Sequence, residues 1–226
     1  MGALRLDHEQ LDRVFTTAYT LLAVNALVVL ACSPLVAVLL TTDVERSWPL
    51  LALLSPLVGP AVAAAFGVFA ASQREGRPQV VRTFLSTWRA SFRRAGAVAA
   101  VAAALLVVLA VDVAVVWGHA VGAAAIPVLA VLACLVVGTA LVSLCAVTER
   151  PGVRLVALVR ASLFLGVRTL PLAAVSLAAV AVLATLVLAR PALGLGLALA
   201  PALYLVWANC RYALRPVLAE PAAAAG

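Results

Sequence analysis

The chain has 226 residues, of which 66% are apolar and 11% charged, with 16 basic residues against 9 acidic ones and a mean hydropathy of +1.18. Soluble domains carry about half apolar and about a quarter charged residues, so a water-soluble globule is excluded and lipid is the solvent for most of the chain. Every basic residue is an arginine, which removes a Walker A loop, a Schiff-base lysine and a lysine base, and with only His8 and His119 present an H-E-x-x-H metal site is impossible.

Residues 1–14, "MGALRLDHEQLDRV", form a mixed-charge leader. Six apolar stretches come after it, at about 15–40, 49–72, 95–117, 121–147, 170–189 and 191–209. A bilayer crossing needs about 20 mainly apolar residues. The charged leader, and the equal apolarity of the five later stretches, make the first stretch a span and not a cleaved signal peptide. The fold class predicted is all-α: one polytopic membrane helical bundle over 15–209, with about six transmembrane helices and a tail at 210–226.

The first two spans each contain "SPLV", as Ser33-Pro34-Leu35-Val36 and Ser55-Pro56-Leu57-Val58. Pro34, Pro56 and the nearby Pro60 are predicted helix kinks. The hairpin turns in "TTDVERSW", and Pro34 and Pro56 lie equally far from its centre, roughly 10 Å inside the membrane on either side. Each removes one backbone hydrogen bond, leaving the carbonyl of Leu30 or Ala52 in need of a donor. Ser33 and Ser55 are available for that repair. Next comes "GPAVAAAFGVFAAS", where Gly59, Ala63, Gly67 and Ala71 form a ladder of small residues that lets another helix approach closely. Gly118 and Gly122 form a second, shorter pair of this kind.

In "VVRTFLSTWRASFRR", Val81, Phe84, Leu85, Trp88 and Phe92 recur at helical spacing opposite Arg82, Ser86, Arg89 and Arg93. The pattern predicts an amphipathic helix over 79–94 lying on the cytoplasmic membrane surface. Arg82, Arg89, Arg93, Arg94 and Trp88 are its candidate contacts with anionic headgroups or a partner. A second basic connection, "RLVALVRASLFLGVRTLP", precedes the fifth span, which starts at Pro171; the sixth starts at Pro191.

Within the third span Asp112 is the one ionisable residue well inside any apolar stretch, about 7 to 8 Å from Trp117. By depth it matches both kinks, with Arg190 as first counter-charge and Arg46 as second. Asp112, Ser33, Ser55 and Arg190 therefore form a candidate polar locus for a substrate or ion, since intramembrane carboxylates usually face a bundle interior. The alternative reading of Asp112 is structural, as a hydrogen-bonding or ion-pairing group. Cys32, Cys134, Cys145 and Cys210 lie in or at the edge of apolar stretches with no C-x-x-C pair, and read as small apolar filler. "LGLGLALA" at 193–200 lacks a third glycine and is no dinucleotide fingerprint. No cofactor or metal is implied.

Fourteen arginines fall in the leader, the 73–94 and 148–169 connections and the tail; only Arg46 and Arg190 lie on the other side. The positive-inside rule places both termini in the cytoplasm of a bacterial inner membrane and accounts for a pI near 10.3 without nucleic acid. Trp48 and Trp117 would then mark the outer interface, and Trp88, Trp207 and Tyr212 the inner one.

The segments "CSPLV", "GPAVAAAFGVFAA" and "TFLSTWRASFRRA" together resemble the YesL-like family of small bacterial integral membrane proteins, a domain of unknown function. The resemblance covers most of residues 15–180. The chain departs from the family by an insertion between "SPLV" and "GPA" that adds the outer turn and the second "SPLV". The resemblance implies a helical membrane protein, in some bacteria encoded beside carbohydrate uptake systems, with no established reaction and no catalytic residues to carry over. The function expected is an accessory or regulatory partner of membrane transport, bound to lipid and to another membrane protein or itself. A small permease or channel with a site near Asp112 is the second reading and a membrane-embedded enzyme the third.

Overall fold

The computed structural model describes residues 2–75, 79–119, 121–150, 152–168 and 170–218; the side chains of 2–14, 75, 163–168, 170–171 and 215–218 are outside that description. Arg77 and the end of the predicted tail, 219–226, therefore lie outside the described residues, as do the side chains of the leader arginines. No strand occurs among the described residues. In chain order the helices are α1 (Gly2–Ala31), α2 (Ser33–Thr41), α3 (Val44–Leu54), a 3-10 turn (Ser55–Leu57), α4 (Val58–Glu75), α5 (Val80–Val116), α6 (Gly122–Glu149), α7 (Leu155–Arg168), α8 (Leu170–Ala189), α9 (Pro191–Leu193), a π-helical segment (Gly194–Ala198) and α10 (Leu199–Leu218). Five helical stretches are long and apolar enough to cross a membrane: Val44–Arg74, Val80–Val116, Gly122–Glu149, Leu172–Ala189 and Pro191–Leu214. A sixth exists if Phe15–Ala31 and Ser33–Thr41 count as one broken span. The architecture is the polytopic helical bundle expected.

The two "SPLV" copies fold differently. At the first, Cys32 leaves helical geometry (φ −99°, ψ 16°) and the axis turns by 79° into α2. The predicted kink is thus a sharp break, and α2 has no buried residue. At the second, Leu54, Ser55 and Val58 all keep right-handed helical angles, and the chain stays helical through the 3-10 turn. There the Ser55 hydroxyl donates to the Ala52 carbonyl at 2.7 Å, which is the repair expected for the bond Pro56 removes. Ser33 is exposed and makes no side-chain hydrogen bond among the described residues. Pro60 breaks nothing; it is buried in the first turn of α4 and the helix runs on through it. Replacing Ser55 with alanine leaves the Ala52 carbonyl short of one donor. The expected loss is about 1 kcal/mol, read as a lower unfolding midpoint in detergent, whereas Ser33→Ala should leave it unchanged.

α4 is the central element. From Gly59 to Ala70 every residue but Gly67 is buried, and α1, α5, α6 and α10 all pack against it. The small-residue ladder explains how α5 comes so close. A Cβ at Gly59 would stand 2.5 Å from both the Ala95 carbonyl oxygen and the Ala99 Cβ, and one at Gly67 would stand 2.7 Å from Thr87 Oγ1. Burial concentrates toward the arginine-rich end of the bundle, in Ala61–Phe66, Phe84, Val142–Val147 and Leu203–Leu214. At the other end the second half of α5 and the first half of α6 leave most side chains exposed.

Two sequence expectations change. The amphipathic stretch is not a separate surface helix: it is the first four turns of the unbroken 37-residue α5. A helix of that length is about 55 Å long, well beyond a hydrocarbon core of about 30 Å, so those turns continue the axis of the span. Gly118 and Gly122 are not a packing pair between helices. Gly118 has φ +82°, open only to glycine without strain, and Gly122 turns its missing side chain to the Val116 carbonyl, closing the turn from α5 to α6.

Candidate functional site

The four residues of the expected polar locus do not converge. Asp112 is exposed on α5, one turn from its end. Ser33 and Arg190 are exposed as well, and Ser55 is half-buried and occupied with Ala52. No hydrogen bond or ion pair joins Asp112 to Arg190, Arg46, Ser33 or Ser55 among the described residues. Depth along a helix, which the sequence supplies, matched them; the direction around the axis did not. Arg190 instead takes the N-cap position of α9, where its carbonyl accepts from the Leu193 and Gly194 amides.

The structure assembles two other polar constellations. The first is centred on Asn25, a buried residue of α1. Its Nδ2 donates to the Gly196 carbonyl at 2.7 Å and its Oδ1 accepts from the Ala200 amide at 2.6 Å. Gly196 and Ala200 stand in the i, i+4 relation that an α-helix would satisfy by itself. Here the helix is wound as a π segment, and the Asn25 carboxamide completes both groups from the side. On its other side the segment packs close to α8: a Cβ at Gly194 would stand 2.7–2.8 Å from Val187. Attention to charge alone passes over Asn25, but the signal was present: an uncharged amide inside an apolar run, and "GLGLALAP", in which Pro201 lacks an amide hydrogen.

The second lies at the arginine-rich end. The Glu149 side chain, 7% exposed, accepts from Arg74 at 3.2 Å and faces Arg211 at 3.9 Å. Arg211 also donates to Gln73 Oε1 at 2.8 Å and stands 5.3 Å above the Trp207 ring. Phe69, Tyr204 and Trp207 make a ring cluster beneath, with Tyr204 edge-on to Phe69 at 5.4 Å. α4, α6 and α10 are thereby tied at one level. Trp207 is part of the core and not of an interfacial belt; Trp48, Trp117 and Tyr212 are exposed as a belt requires. Cys32, Cys145 and Cys210 are buried and Cys134 exposed, all as free thiols.

The first turns of α5 have three faces. Val80, Phe84, Ser91, Ala95 and Val98 are buried. Val81, Leu85 and Phe92 form an exposed apolar strip, with Trp88 half-buried and edge-on to Phe92 at 5.0 Å. Arg82, Arg89 and Arg93 form an exposed basic strip beside it, while Arg94 turns inward and donates to the Val153 carbonyl. Among the described residues no three His, Cys, Asp or Glu side chains come together as metal ligands would.

No curated protein and no solved structure matches the chain. A family model does, over residues 21–113, which hold Asn25, both "SPLV" copies, all of α4 and nearly all of α5: those residues are similar to the domain described as "Protein of unknown function, DUF624", in agreement with the family resemblance read from the same segments.

Proposed function

We propose that the chain is an accessory component of a membrane transport system, held in a bacterial cytoplasmic membrane with both termini inside, and that it does not itself carry solute. The family resemblance suggests carbohydrate uptake as the system. The observation that carries the reading is the surroundings of α4. Its side chains from Ala61 to Phe66 are all buried among apolar neighbours, and Asp112, Ser33 and Arg190, matched by depth along their helices, are exposed and joined by no hydrogen bond or ion pair among the described residues. A permease needs a polar path near the midplane; an accessory subunit needs rigid packing and presented faces. The basic strip of Arg82, Arg89 and Arg93, with Trp88 beside it, is the face offered to anionic headgroups or to the partner; Arg94, engaged with the Val153 carbonyl, is not part of it. In proteoliposomes the chain alone should give no sugar flux above empty vesicles, and in mild detergent it should co-purify at fixed stoichiometry with a transporter. Flux from the chain alone, lost on Asp112→Asn, would establish the permease instead.

A further inference from the structure

The second half of α5 turns one continuous face outward. Val101, Leu105, Val108, Asp112 and Val115 recur at alternating steps of four and three and are all exposed. This is the a/d spacing of a helix-pairing seam, in which a single polar residue sets register and partner. Asp112 is that residue, and no described side chain pairs with it. A carboxylate facing hydrocarbon is costly, and the cost falls when a donor or cation meets it at the same depth.

We propose that this face of α5 is the docking seam for a transmembrane helix of another protein, one that presents an arginine or lysine about one turn inside the membrane at the end opposite the arginine-rich face. The inference rests on the accessory reading and specifies the chemistry of its partner. Charge complementarity selects the occupant. A second copy of the chain is a poor one, because the positive-inside rule holds both copies parallel. A two-fold axis pairing the two seams then sets Asp112 against Asp112.

The test uses the full chain with a C-terminal fluorescent acceptor, reconstituted with donor-labelled polyleucine transmembrane peptides. These carry arginine, leucine or glutamate at the depth of Asp112. Energy transfer should show the arginine peptide binding about tenfold more tightly than the leucine peptide. Asp112→Asn should abolish most of that preference, and Asp112→Arg should transfer it to the glutamate peptide. Both substitutions are at an exposed helical position, and size-exclusion chromatography checks that the fold survives. Equal binding of the arginine and leucine peptides, or a preference unmoved by either substitution, overturns the proposal. Transfer between two differently labelled copies, lost on Asp112→Arg and on Arg190→Asp but restored when both are combined, would assign the seam to self-association and also overturn it. Solute flux by the chain alone would defeat the accessory reading while leaving the peptide preference measurable by itself.

Discussion

Replacing Asn25 with leucine is expected to cost about 2–5 kcal/mol of stability, the largest single-substitution effect expected in this chain. Leucine keeps the heavy-atom count and the branching at Cγ, though its methyl groups are bulkier, and two main-chain groups lose a hydrogen-bond partner. The Gly196 carbonyl and the Ala200 amide both bond to the Asn25 side chain. An orphaned buried backbone group costs about 1–3 kcal/mol, and lipid offers no water to replace the bond. Asn25→Asp keeps an acceptor for the Ala200 amide, but an ionised carboxylate cannot donate to Gly196 and adds a buried charge, so it should be at least as damaging. Both variants should lower the thermal midpoint in detergent and speed hydrogen exchange at Ala200. An unchanged midpoint for Asn25→Leu would mean that the π segment rewinds to an α-helix at no cost, and that the amide is dispensable.

The second large effect is at Gly59. Adding one methyl group places it 2.5 Å from the Ala95 carbonyl oxygen and from the Ala99 Cβ. Neither is the flexible end of a long side chain that could swing aside, so α4 and α5 must separate. Overpacking of this kind costs about 1–3 kcal/mol for Gly59→Ala, and more for Gly59→Leu. Gly138 in α6 is the control: nothing lies within 4 Å of where its Cβ would stand. Gly138→Ala should be neutral, or stabilising by up to about 1 kcal/mol through helix propensity. Thermal unfolding of the three variants in one detergent decides the matter, and a Gly59→Ala protein as stable as Gly138→Ala would refute close contact between these helices.

The site was less legible than the fold. Ser55 could be anticipated as the repair for Ala52 because both partners sit within one turn, and a proline dictates which carbonyl loses its bond. The same logic applied to Ser33 fails, since the chain there escapes the missing bond by turning through 79° at Cys32. The second copy stays helical and continues into α4, which is buried and packed against α5; the first continues into α2, which has no buried residue. The partners of Asn25 and Glu149 could not be read from the sequence, because they lie 171 to 175 residues away for the first and 75 residues away for the second.

Composition and local chain order were enough to determine an all-helical polytopic bundle with five or six apolar stretches long enough to cross a membrane, and to mark the proline steps in the first two of them. Those properties depend on counts of apolar residues and on neighbours within a few positions. The tertiary structure alone decided direction around each axis: Asp112 outward, Asn25 inward, Trp207 into the core, and α5 extended instead of folded down. In water a polar stripe marks the outer face of a helix. Helices that are apolar all round, such as α6 and α8, carry no such mark, so only packing against neighbours selects the face that is buried.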